Sequence, residues 1–208
     1  MIDKVLENNQ VEIVGIVDSE FVYSHEIYGE AFYLVEILVQ RMSQIADRIP
    51  LMVSERLIDV QKDYRGVVLK VKGQFRSHNK HEDGHNRLVL SVFVRELEIV
   101  RDDMGENLPN SIRLDGYICK QPVYRTTPLG REIADMILAV NRAYGKSDYL
   151  PCICWGRNAR FAGRFEVGTH IHLWGRIQSR TYHKHRGNED VEQRTAYEIS
   201  VNKLECIQ

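Results

Sequence analysis

Cysteine, proline and tryptophan are scarce in this chain: 208 residues hold only 4, 5 and 2 of them. Four cysteines (Cys119, Cys152, Cys154 and Cys206) in a chain this long make no disulfide framework and fit a reducing cytoplasm. Structural zinc takes paired C-x₂₋₄-C ligands, and no such pairs exist here, so these thiols read as strand residues and no metal ligand is assigned. No apolar run approaches the ~18 residues that span a bilayer. The opening residues, MIDKVLENNQ, have neither a basic nor an apolar signal region. P-loop, GxSxG and HExxH motifs are absent and no carboxylate constellation stands out, so the expectation is a protein that is not an enzyme and carries no cofactor.

Net charge is also nearly absent, at −1, but its distribution is uneven. Residues 1–105 carry 13 Lys+Arg against 18 Asp+Glu, a net of −5, while residues 106–208 carry 15 against 11, a net of +4. Phosphate affinity comes from Lys and Arg displacing condensed counterions, so any nucleic-acid partner belongs with the second half.

What the chain does have is a repeat. Asn9 to Gly15 (NQVEIVG) aligns with Asn110 to Gly116 (NSIRLDG) at an offset of 101, and Ile49 to Val53 aligns with Leu150 to Cys154 at the same offset. Val71 to Ser77 meets Leu173 to Ser179 at 102, and the closing segments Val92 to Val100 and Ile199 to Ile207 meet at 107. Matches in one order indicate a duplicated domain. The expected units are 1–100 and 110–208, joined by the polar linker 101–109 (RDDMGENLP).

Each copy has five strand-like runs rich in Val, Ile and Tyr. In the second copy they cover Ser111–Ile118, Glu132–Asn141, Leu150–Trp155, His170–Gln178 and Ala196–Cys206, with a short helix expected within Gly156–Gly168. Five strands with a helix between the third and fourth is the order of an oligonucleotide-binding (OB) barrel. The fold class expected is therefore all-β, two tandem five-stranded OB barrels. Gly116 and Gly175 fall inside strands, as bulges or barrel corners require.

From Asn110 to Ile207 the chain resembles the bacterial single-stranded DNA-binding protein family. The residues that carry the resemblance are Leu114 to Gly116 (LDG), Pro122 to Gly130 (PVYRTTPLG), Leu138 to Arg142 (LAVNR), Cys154 to Arg157 (CWGR), Val167 to Gly168, and Gly175 to Tyr182 (GRIQSRTY). The first copy is matched mainly through its repeat relation to the second. In that family, aromatics stack on bases while cations follow the backbone. The resemblance places the stacking residues on Tyr144, Tyr149, Trp155 and Tyr182, and the cations on Arg125, Arg142, Arg157, Arg176, Arg180 and Lys184. Trp174 lies outside the family's stacking positions and is open between a groove extension and a subunit interface.

At the four stacking positions the first copy has Ser43, Arg48, Ser54 and Lys80, none of them aromatic. Its expected role is architectural, although its remaining aromatics could have moved to new positions. His78, His81, His85, His183 and His185 crowd the last hairpins, where a polar tip explains them more simply than a metal. The family usually ends in a disordered linker with an acidic tip; this chain stops at Gln208, so recruitment through such a tail is not expected. The resemblance implies sequence-independent single-stranded DNA binding in replication, repair or recombination, in a cytoplasmic homodimer presenting four barrels. The alternatives are a replication-restart protein acting through partner proteins, or a structural OB module.

Overall fold

Alternation of apolar and polar residues sets the inside and outside of nearly every strand. The computed structural model describes residues 7–41, 43, 45–82, 85–100, 109–186 and 190–207; the side chains of 80–82, 85–87, 183–186 and 190–192 lie outside the description. Along Asn9–Val17 (β1), Val11, Ile13 and Val17 point inward. Val22–Ile27 (β2), Glu30–Gln40 (β3), Ala46–Ser54 (β4), Val68–Glu82 (β5) and His85–Val100 (β6) complete the first barrel. The second consists of Asn110–Thr126 (β7), Glu132–Asn141 (β8), Ser147–Trp155 (β9), helix Arg157–Ala162 (α1), His170–Arg186 (β10) and Asp190–Cys206 (β11). Both close alike: the first strand pairs antiparallel with the fourth (β1–β5, β7–β10), and the third runs parallel to the fifth (β4–β6, β9–β11).

The copies differ where the repeat had drifted. The first strand of the OB order is broken in copy one between β1 and β2, whereas β7 continues to Thr126 through bulges at Ile118/Lys120 and Lys120/Val123. The helix of copy two lies within the expected segment. Residues 55–67 of copy one form turns and bends instead. The second copy's last hairpin is longer than periodicity implied, pairing as far as Arg186↔Asp190. The expected linker 101–109 lies outside the described residues except for Pro109. Gly116 and Gly175 sit where a side chain has no room: a Cβ at either would collide with the carbonyl of Ala139 or Ser200. The bulge at Trp174/Gly175 marks the corner, as its mirror Lys72/Gly73 does in copy one.

The barrels join edge to edge. β1 and β7 pair antiparallel, from Asn9↔Leu114 to Ile13↔Asn110. This makes one continuous sheet β6-β5-β1-β7-β10-β11 across the two domains. Paired asparagines lock each strand end. Asn9 donates to the Phe75 carbonyl at 2.7 Å and accepts from its N–H at 2.9 Å; Asn110 does the same with Ile177 at 2.8 and 3.0 Å.

The long hairpins then cross to the opposite barrel. Asp47 of β4 accepts from the Ser179 N–H at 2.6 Å, and Asp148 of β9 accepts from the Ser77 N–H at 2.6 Å. Both aspartates are 0 % exposed. Arg41 pairs with Asp47, its Nε at 2.7 Å from Oδ2, and Arg142 pairs with Asp148 at 3.2 Å. A buried carboxylate without such donors would be strongly destabilising. Burial is the main influence on Asp148 and holds its carboxyl above the ordinary value, against the lowering pull of Ser77, Arg142 and Arg76.

Candidate nucleic-acid interface

On β9 the residues opposite in parity to the buried Leu150, Cys152 and Cys154 include the accessible Tyr149 and Trp155 and the half-buried Pro151, while Ile153 between them is covered. Burial pushes the Cys154 thiol up to about 12 and raises the Cys152 thiol as well, so both are inert wall residues. Trp155 pairs across to Ile133 and Tyr149 to Ala139. The small Ala139 in turn pairs with Tyr117 on β7, and Tyr117 with His170 on β10. The cross-strand row Tyr149, Ala139, Tyr117, His170 thus runs over the outer wall, and the Tyr117 and His170 rings stack at 4.5 Å and 17°. Tyr144 stands at the β8–β9 turn next to Gly145 with positive φ (61°), an uncommon conformation for a non-glycine residue, and is exposed.

All four expected stacking aromatics are accessible: Tyr144 99 %, Tyr149 49 %, Trp155 39 % and Tyr182 38 %. They do not form one patch. Tyr149 and Trp155 lie on the outer side of β9, Trp155 at its far end opposite Ile133, and Tyr144 stands at the β8–β9 turn. Tyr182, paired with Arg194, lies farther out on the hairpin whose Ser179 docks on β4 of the first barrel. Reciprocally, Ser77 of the first barrel's hairpin accepts the Tyr149 N–H at 2.8 Å, so that hairpin borders the Tyr149 face.

The expected cations divide likewise. Arg157 and Arg180 are exposed, and Arg125 is exposed while paired with Asp135 at 2.9 Å. Arg142 is engaged by buried Asp148, and Arg176 approaches buried Asp47 at 3.6 Å. Burial first, then Arg41, lowers the Arg176 guanidinium's proton affinity, with Asp47 opposing. Both side chains therefore belong to the seam between barrels. Lys184 has a described backbone only, and its side chain lies outside the described residues, as do those of His81, His85, His183 and His185.

Exposed aromatics that sequence reasoning passed over are Tyr117, Tyr124 and Phe161. Strand parity could have found Tyr117, since it alternates with the inward Leu114, Gly116 and Ile118. Tyr124 donates to Glu132 at 2.5 Å, and Phe161 packs edge-on against Phe165, so both are partly committed. Trp174 stands on the continuous sheet, away from β8–β9, with the Lys203 ammonium 4.5 Å from its ring.

At two of the equivalent positions of the first barrel the side chains are engaged. Arg48 is held by Asp18 at 2.5 Å and Glu36 at 3.1 Å. Ser54 is buried and hydrogen-bonds to Glu30.

The model of the family described as "Single-strand binding protein family" matches residues 109–207. Single-stranded DNA-binding protein B of Bacillus subtilis (strain 168) is 32 % identical over 85 residues, covering 38 % of this chain and 75 % of that protein. Single-stranded DNA-binding protein 1 of Staphylococcus aureus (strain COL) is 34 % identical over 85 residues, 38 % of this chain and 51 % of its own. The chain spans about half the length of several such relatives. Across both barrels, the wild-type single-stranded DNA binding protein from Thermus aquaticus superimposes with a TM-score of 0.76 at 18 % identity, covering 96 % of this chain and 93 % of that one. Among the described residues no helix is long and apolar enough to cross a membrane. With the tandem OB fold in place and the second barrel matched along its full length, this chain belongs to the single-strand binding protein family.

Proposed function

We propose that the protein binds single-stranded DNA without sequence preference, with the outer β8–β9 face of the second barrel as the principal platform. The observation that carries this reading is the accessible aromatic set Tyr144, Tyr149 and Trp155, strung along β9 from its preceding turn to its end, where an aromatic ring left in water offers a base something to stack on. Each stack is worth ~1–3 kcal/mol by alanine substitution, so three suffice for useful affinity before any phosphate contact. Arg125 and Arg157 border this platform. Arg180, Tyr182 and Lys184 continue the path along the hairpin that crosses the first barrel. Arg142 and Arg176 hold the barrels together, and their part in DNA binding is indirect. The first barrel is chiefly architectural: unit 1–100 acts as the frame and unit 110–208 as the platform. A role in replication, repair or recombination, in the cytoplasm, follows from this activity. We further propose a homodimer presenting four barrels.

The test is fluorescence anisotropy with labelled oligo-dT at low and moderate salt, with duplex DNA as competitor. Binding that weakens with salt and resists duplex competition supports the reading. If oligo-dT shows no binding at low salt, the partner-protein or structural reading takes its place.

A further inference from the structure

Beyond the β8–β9 platform, the wall formed by β7 and β10 carries a group of donors that base stacking does not require. His170 and His172 are two apart on β10, so both imidazoles emerge on the outer face. Asp115, the cross-strand partner of His172, emerges between them. His170 Nε2 lies 2.6 Å from Asp115 Oδ1 and His172 Nε2 lies 2.6 Å from Oδ2, so two rings converge on one carboxylate. One ligand atom from each of the three residues falls within 4.8 Å of the others.

The rings are fixed from behind. Tyr117 stacks on His170, the two imidazoles stand perpendicular at 5.9 Å, and His172 meets the edge of Trp174 at 6.2 Å. On the other flank of His172 its β11 partner is Glu205, which adds negative charge to the row and is itself paired with Lys203 at 2.6 Å. All three donor residues are partly buried, with side chains 26–39 % exposed, enough to shield an ion while leaving a path for water.

We propose that Asp115, His170 and His172 form a binding site for a first-row divalent cation, with Zn2+ the reference ion. Two imidazoles and one carboxylate are a donor set suited to Zn2+ and its neighbours, and three protein ligands leave a position for water. Bonds of ~2.0–2.1 Å in a tetrahedron put neighbouring donors about 3.3 Å apart, so each 2.6 Å contact opens by well under 1 Å to admit the ion. Each histidine gives its Nε2 lone pair in the tautomer protonated at Nδ1. The ion replaces the Nε2 protons that otherwise join the rings to Asp115. It then clasps β7 to β10 at the seam where the second barrel closes.

The fluorescence of Trp174 provides a local readout, because the chain has only 2 tryptophans and the Trp155→Phe protein retains this one. Co2+, a spectroscopic substitute for Zn2+, is titrated into that protein. The expected result is saturable quenching complete at one equivalent, reversed by added Zn2+. In the reciprocal Trp174→Phe protein, whose remaining Trp155 ends the far strand β9, the same Co2+ leaves fluorescence unchanged. Asp115→Asn and His172→Gln each abolish the Trp174 quenching. Zn2+ at about 100 times its dissociation constant raises the parent's Tm on the order of 5 °C and does not raise that of Asp115→Asn. No Trp174 quenching up to millimolar Co2+ would overturn the proposal. So would quenching that survives in Asp115→Asn, which would move the ion to the hairpin histidines, or equal quenching of both single-tryptophan proteins.

Discussion

Tyr149 and Arg48 occupy equivalent positions on the third strands of the two barrels, each opposite the matching residue of the preceding strand, Ala139 or Leu38. Their surroundings separate them. Tyr149 has an open ring above a small neighbour, whereas Arg48 offers no ring and is paired with Asp18 and Glu36, which a phosphate would have to displace. In oligo-dT binding, Trp155→Ala combined with Tyr149→Ala is expected to cost about 2–6 kcal/mol if the two terms add. Ser54→Ala combined with Arg48→Ala is expected to cost well under that, measured by the same anisotropy titration on proteins first checked for folding. Equal losses would mean that the first barrel binds as strongly as the second. The arginines divide in the same manner. Arg157→Ala is expected to lower the slope of log K against log salt by about 0.7 for the one phosphate contact it removes. Arg142→Ala is expected to leave that slope intact and to lower thermal stability, because it leaves buried Asp148 without its counter-charge.

At the level of elements, the two long hairpins decide the geometry, each reaching over its neighbour and docking on one buried aspartate. Asp47→Ala or Asp148→Ala removes the acceptor for a buried serine N–H, and an unsatisfied group of that kind costs about 1–3 kcal/mol. Chemical denaturation measures the loss, and hydrogen exchange is expected to localise it to the crossing hairpin. Asp148 also makes stability depend on pH. Its folded carboxyl is raised above the ordinary 3.8, so the folded state holds the proton over that window while the unfolded state releases it. The stability difference between wild type and Asp148→Asn is therefore expected to shift toward wild type as pH falls from the raised value to the ordinary one; a shift the other way would contradict the assignment. Most of these elements were legible in sequence. The β8 run Glu132–Asn141 is apolar nearly throughout between polar ends, which sets its bounds, and the helix lies between two glycines. The outer third of the β10–β11 hairpin was not legible, because it has no single apolar face to impose a period of two on TYHKHR. The commitments of Arg142 and Arg176 were hidden for a different reason: the buried aspartates they meet act across the barrel seam, Asp47 being far away in sequence. The Asp115–His170–His172 cluster likewise needs the β7–β10 register, which no local pattern encodes.

At the scale of the whole molecule, the two copies meet edge to edge within one chain. The β1–β7 pairing and its mirrored asparagine and aspartate locks make that joint. The repeat offsets of 101 and 102 foretold two like barrels, but only the structure reveals that each copy's long hairpin crosses to dock on the other. Light scattering is expected to give a mass near twice 24.2 kDa at micromolar concentration, and a monomer would refute the four-barrel assembly. The central claim is that bases stack on the β8–β9 face of the second barrel, and Trp155 itself reports on that. In the Trp174→Phe protein, Trp155 is the remaining tryptophan, and titration with oligo-dT at low salt is predicted to quench its emission saturably and to require more DNA as salt rises. Binding detected by anisotropy with Trp155 emission unchanged would contradict the account and move the DNA to another surface.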